Sequence, residues 1–128
     1  MDKEKLKEEY LKLLEEFNSI KREYEEVINR ILELETYASF LKEISKKDEW
    51  EGFTNLGGMI LLKSKIFNTK KVLVNVGANV FVEKDIEEVI DILEEQAKQY
   101  NNLKQELEKT LEEYSKKLME LREEITES

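Results

Sequence analysis

Residues 56–82 read Leu56-Gly57-Gly58-Met59-Ile60-Leu61-Leu62-Lys63-Ser64-Lys65-Ile66-Phe67-Asn68-Thr69-Lys70-Lys71-Val72-Leu73-Val74-Asn75-Val76-Gly77-Ala78-Asn79-Val80-Phe81-Val82. Three β-rich runs stand out, at 59–67, 71–76 and 79–82. Asn68-Thr69-Lys70 and Gly77-Ala78-Asn79 are the turn signals between them. In the first run Leu62, Ser64 and Ile66 alternate with Lys63 and Lys65; in the second Val72, Val74 and Val76 alternate with Leu73 and Asn75. A two-residue period is that of a strand with two unlike faces. With 50–56 as a first strand, the stretch predicts two successive β-hairpins. All four glycines (52, 57, 58 and 77) fall within it.

Outward from the hairpins the pattern changes. Upstream, Leu6, Tyr10, Leu13, Phe17, Ile20, Tyr24, Val27, Ile31, Leu34, Ala38 and Leu41 are spaced by alternating steps of four and three. That 3.5-residue period is a coiled-coil seam, and it predicts a helix over about 2–46, roughly 65 Å long at 1.5 Å per residue. Downstream, Ile86, Ile90, Leu93, Ala97, Tyr100, Lys104, Leu107, Leu111, Tyr114, Leu118, Leu121 and Ile125 repeat the seam. This predicts a second helix over about 85–126, with Asp85 as its N-cap or first-turn acid and Glu87 and Glu88 beside the dipole's positive end. Folding the two back as an antiparallel coiled coil sets Leu6 near Ile125, Phe17 near Tyr114, Val27 near Lys104 and Leu41 near Ile90. Lys104 either fixes the register or snorkels to water.

Composition narrows the chemistry. The 128 residues hold 30 acids against 21 bases, a net charge of −9, with no proline, cysteine or histidine. Without Cys or His there is no zinc finger, thiol catalysis, disulfide or Ser-His-Asp triad. No run is long and apolar enough to span a bilayer, the charged start is unlike a signal peptide, and the acidic balance disfavours nucleic acid and anionic membranes. A cytoplasmic location is expected, with no cofactor and no metal. Net charge is −2 over residues 1–47, +1 over 48–84 and −8 over 85–128. The adjacent carboxylates Glu15-Glu16, Glu25-Glu26, Glu94-Glu95 and Glu112-Glu113 read as a solvated helix surface, so no enzyme is expected.

Energetics sets the role of the centre. Some thirty residues of hairpin cannot build a core alone, and isolated hairpins are marginal in water. Their open edges invite pairing. The fold class expected is therefore α+β: a long antiparallel two-helix coiled coil whose central pair of hairpins forms an oligomeric β-barrel or sheet hub. One unit is expected over 1–128, with a helix at 1–48, a hub at 49–84 and a helix at 85–128. The hub interface is placed on Met59, Leu61, Ile66, Val72, Val74, Val76, Val80 and Val82. Off the seam, Ile28, Leu32, Tyr37, Phe40, Ile44, Val89 and Ile92 are expected to pack on the hairpins or a neighbouring subunit. Trp50 and Phe53 fit either a subunit interface or the barrel end.

The order helix, two hairpins, helix resembles the prefoldin family, in particular its alpha-type subunit. The residues that carry the resemblance are Leu56-Gly57-Gly58, the strand to Phe67, then Asn68-Thr69-x-x-Val72-x-Val74-x-Val76-Gly77-Ala78-x-x-x-Val82-Glu83-Lys84, and the helix entry Asp85-Ile86-Glu87-Glu88-Val89. One departure is Asn55, where many relatives have proline. The resemblance implies an ATP-independent chaperone that holds unfolded protein clients at its coiled-coil tips. It also implies assembly with beta-type subunits and delivery to a group II chaperonin. An alpha-like, self-assembling filament is the alternative it leaves open; a coiled-coil adaptor is disfavoured by the patterned hairpins. Both chain ends would lie at the free tip, which places candidate client contacts on Leu6, Tyr10, Leu11, Leu14, Leu118, Met119, Leu121 and Ile125. Of these, Leu11, Leu14 and Met119 lie off the seam. The acidic tail 121–128 suits either a basic partner or simple solubility.

Overall fold

The computed structural model of the protein describes residues 2–127. Helix α1 spans Lys3–Ser45, strands β1 to β4 span Trp50–Leu56, Ile60–Ile66, Lys71–Asn75 and Phe81–Asp85, and helix α2 spans Ile86–Glu127. Neither helix contains glycine or proline, so nothing local interrupts its hydrogen-bond ladder. Every described seam position is buried or half-buried, Lys104 included.

The chain divides into two compact units. One comprises residues 2–32 and 98–127. Its core is Val27, Ile31 and Leu107, with Ile20, Tyr24, Tyr100 and Leu103 packed around them. The antiparallel register of the seams is visible here: Val27 meets the turn of α2 that carries Leu103 and Leu107, and the Tyr114 hydroxyl donates to Glu16 at 3.1 Å.

The other unit is Glu33–Ala97. Its core is Ile44, Ile86 and Ile90, covered by Leu41, Trp50, Ile66 and Val72. Ile44 therefore packs on the hairpins as its off-seam position predicts. The strands form two separate antiparallel two-stranded sheets, β1 with β2 and β3 with β4. No barrel closes among the described residues of one chain.

The turns follow their residues. In the first hairpin Leu56 opposes Ile60 across Gly57-Gly58-Met59. Gly57 and Gly58 take φ of 65° and 82°, which only glycine adopts freely. Asn55 accepts the Gly58 N–H on its side-chain oxygen at 2.8 Å, closing this turn by a side-chain bond. In the second, Val80 N–H donates to Gly77 C=O at 2.9 Å across Ala78 (φ 49°) and Asn79 (φ 59°). Positive φ at both central residues is the type I′ geometry that matches strand twist.

Most boundaries fall within a residue of the sequence reading; the last strand differs more. The last strand begins at Phe81, not Asn79, and runs to Asp85, because pairing with β3 continues to Lys71 opposite Asp85. Asp85 is not simply an N-cap. Its carboxylate takes the Lys71 ammonium across the sheet, and the α2 helix starts at the next residue.

The segment 68–71 between the hairpins ties the unit together. Asn68 accepts the N–H groups of Lys70 and Lys71 on its side-chain oxygen, at 3.0 and 3.1 Å. Thr69 is 2% exposed and its hydroxyl donates to the Lys47 carbonyl at 2.5 Å. The Lys70 ammonium donates to the Ser45 carbonyl at 2.6 Å, a cation on the negative end of α1. The Lys70 carbonyl accepts from the Ile86 N–H at 2.8 Å, satisfying a first-turn donor of α2.

Candidate functional site

The hairpins carry their apolar side chains outward. Phe53, Leu56, Ile60, Leu61 and Leu62 are exposed on the first hairpin, and Met59 at its tip is 93% exposed. Leu73, Val76, Val80, Phe81 and Val82 are exposed on the second, and Phe67 lies just beyond β2. Burying a side chain of this kind contributes about 1.5–3 kcal/mol. Exposed apolar side chains in such number are the kind of surface on which proteins meet partners.

Of the eight hub positions, Met59, Leu61, Val76, Val80 and Val82 are exposed. Ile66, Val72 and Val74 are half-buried, and the first two pack on Ile44, Ile86 and Ile90 of the same chain. Outside those eight, Leu56, Ile60, Leu62, Phe67, Leu73 and Phe81 are also exposed, as is Phe53, which the sequence reading sets at a subunit interface or the barrel end. Their signal was present, since both faces of these strands carry apolar residues. Such a double-faced strand is expected where a sheet is covered on both sides.

Beside β3 lies a groove of about 570 Å³. Tyr37, Phe40 and Leu41 of α1, residues 72–75 of β3, and Val89 and Leu93 of α2 line it. Phe40 meets Trp50 edge-on, with ring centres 5.2 Å apart, and the Tyr37 hydroxyl donates to Glu33 at 3.2 Å. Trp50 lies over Gly52, where a Cβ would come within 1.8 Å of the indole. Trp50 is thus half-buried against its own chain, while Phe53 is 64% exposed.

Electrostatics at the hairpins is that of surface pairs. Lys65 bonds Glu49 at 2.9 Å, approaches Glu51 at 3.8 Å and sits 5.4 Å over the Phe67 ring. The hydrogen bond to Glu49, then its charge, hold the Lys65 ammonium above its ordinary value. The hydrogen bond to Asp85 does the same for Lys71. The carboxylate pairs 15–16, 25–26, 94–95 and 112–113 all stand in solvent. Among the described residues no three acidic side chains converge as a metal site would need, and no helix is long and apolar enough to cross a membrane.

At the helix ends the eight candidate client contacts divide. Leu6 and Leu118 are buried in the seam, at 2% and 9% exposure. Tyr10, Leu14, Leu121 and Ile125 are half-buried. Leu11 and Met119 are each 62% exposed. The acidic tail is described through residue 127; Ser128 lies outside the described residues.

Comparison with known proteins gives one consistent picture. The family model described as "Prefoldin subunit" matches residues 4–128. The prefoldin subunit alpha of Methanococcus aeolicus is 31% identical over 90 residues, which cover 68% of this chain and 61% of that protein. That of Methanobrevibacter smithii is 28% identical over 92 residues, covering 72% of this chain and again 61% of the relative. That of Thermofilum pendens is 28% identical over 122 residues, covering 94% of this chain and 92% of the relative. Among solved structures, a chain of filamentous PFD from Methanocaldococcus jannaschii superposes with a TM-score of 0.73 at 22% identity, covering 92% of this chain and 98% of that one.

Proposed function

This chain belongs to the prefoldin family, and on that premise we propose that it is an ATP-independent chaperone subunit. It assembles through its hairpins and holds unfolded proteins at its helix ends. The family is one of non-enzymatic chaperones. The observation that carries the assembly half is the exposed apolar surface of both hairpins, with Met59, Phe67 and Leu73 at 93%, 73% and 68%. The holding half rests on Leu11 and Met119, apolar side chains in water on otherwise charged helices. Methionine's flexible thioether suits a surface that meets many sequences. Leu14 contributes as a half-buried neighbour, and Leu6, Tyr10, Leu118, Leu121 and Ile125 become available where the helix ends open.

The partners proposed are unfolded clients, prefoldin subunits of the beta type, and a group II chaperonin as acceptor, all in the cytoplasm. A second reading is self-assembly into a filament. It is favoured by the likeness in fold to a filamentous relative. Met59, Leu61, Val76, Val80 and Val82 are the proposed contacts in either assembly, with Val74 at their margin and Ile66 and Val72 as the supports beneath them.

Two measurements test this. Negative-stain electron microscopy of the pure chain separates the assemblies. Long fibres mean self-assembly, and discrete small particles mean a subunit that needs a beta-type partner. Suppression of client aggregation tests the helix ends. Changing Leu11, Leu14 and Met119 together to Ser is expected to weaken suppression with helicity unchanged, and undiminished suppression rejects the client assignment.

A further inference from the structure

From the bonds made by segment 68–71 we infer that Thr69 and Lys70 are positioning residues for assembly, forming a clasp that holds both hairpins on the helix ends. The inference rests on the reading that the hairpins are the assembly surface. Four strand or helix ends meet at this segment: β2 enters it, β3 leaves it, α1 ends against it and α2 starts on it. Thr69 is the one buried polar residue among the described residues, and it donates to the Lys47 carbonyl in the turn that ends α1. Lys70 bonds both helices at once, its ammonium to the Ser45 carbonyl of α1 and its own carbonyl to the Ile86 N–H of α2.

These bonds are few, but their geometry is what assembly needs. A two-stranded sheet has no core that fixes its orientation. The apolar contacts beneath the hairpins, Ile66 and Val72 on Ile44, Ile86 and Ile90, are non-directional. The hydrogen bonds of the clasp are directional and set one pose. Edge pairing between chains demands a single pose, because a strand offset by one residue turns every side chain to the wrong face. A subunit whose hairpins wander would bind its neighbour at an entropic disadvantage. The clasp therefore acts on association while leaving the helical seam untouched.

The test compares Thr69→Val, which keeps the volume and loses the donor, with Thr69→Ser, which keeps the donor. Lys70→Met is the second variant; Lys70 is exposed, so its loss opens no cavity. In the isolated full-length chain, Thr69→Val is expected to raise hydrogen exchange at the Ile86 amide about tenfold, the effect of losing one hydrogen bond, with exchange in residues 98–127 unchanged. In the assembled protein, both Thr69→Val and Lys70→Met should raise the concentration for half-assembly about tenfold at constant helicity, and Thr69→Ser should restore it. Wild-type assembly in both variants overturns the inference. So does unchanged exchange at Ile86. If the wild-type chain assembles neither alone nor with a beta-type subunit, the assembly reading falls, and exchange at Ile86 decides the clasp by itself.

Discussion

The two units of this chain treat apolar side chains in opposite ways. In the unit of residues 2–32 and 98–127, the seam side chains face one another and are removed from water by the chain itself: Leu6 and Val27 are 2% and 6% exposed. In Glu33–Ala97 the two helix segments again bury Leu34, Ala38, Ile86 and Ile90, yet the strands beside them leave Phe53, Met59, Leu73 and Phe81 largely in water. The sequences are comparably apolar at these positions. The difference is geometric. A helix presents one stripe, and one facing helix covers it. A two-stranded sheet presents two faces and two open edges, and helix ends cover only part of one face. The first kind of unit buries its apolar side chains within one chain; the second leaves many of its own in water.

Substitutions placed in each unit test that contrast. The largest is expected in the seam: Ile31→Ala removes a buried side chain and should cost about 2–4 kcal/mol in chemical denaturation. The matching truncation on the hairpins, Leu73→Ala, should shift the isolated chain by no more than about 0.5 kcal/mol while weakening assembly. Equal losses at both sites would abolish the contrast. Next comes Gly52→Ala. The new Cβ meets the Trp50 indole, which must leave its place against Phe40. A loss of about 1–3 kcal/mol is expected, with a red shift in fluorescence readable because Trp50 is the chain's single tryptophan.

A smaller effect of opposite sign is expected at the second hairpin tip. Ala78 holds φ of 49°, a conformation that costs a non-glycine residue about 1 kcal/mol. Ala78→Asn, which tolerates that region, should stabilise the hairpin by about 0.5 kcal/mol, read as slower exchange at the Val80 amide.

The smallest is alkaline. Lys71 is raised above 10.5 by its bond to Asp85, and Tyr114 above 10.0 by its bond to Glu16. In both cases the folded chain holds the proton more tightly than the unfolded chain. Their stabilisation is complete below those ordinary values and is lost as pH rises through the raised ones. Both pairs are exposed, so the effect is slight and salt-screened. Lys71→Met should flatten the alkaline loss of protection in β3 and β4 alone, and Tyr114→Phe should flatten it in the helical unit alone. A shared response would show that the two units do not open separately.

Much of this was legible in the residues. The alternating four-three steps located both seams, and each named position that the structure describes is buried or half-buried. The Gly77-Ala78-Asn79 signal located the second hairpin turn, and the first fell between the expected strand 50–56 and the run beginning at Met59. The candidate surface was legible only in part. A two-residue period says that Val72 and Val74 share a face; it does not say that this face meets Ile44 and Ile86 while Leu73 faces water. Asn68-Thr69-Lys70 was visible as a turn, but a turn signal carries no sign of the burial of Thr69 or of the helix ends it joins.

Sequence alone determined the elements, their order and the antiparallel seam, because helix period, strand period and turn chemistry act over a few neighbouring residues. Tertiary structure decided which strand face the chain keeps for its own core, which it leaves exposed, and which bonds hold the hairpins in place. Those depend on what stands opposite each side chain, and residues as far apart as Lys47 and Thr69, or Lys70 and Ile86, meet only once the chain has folded.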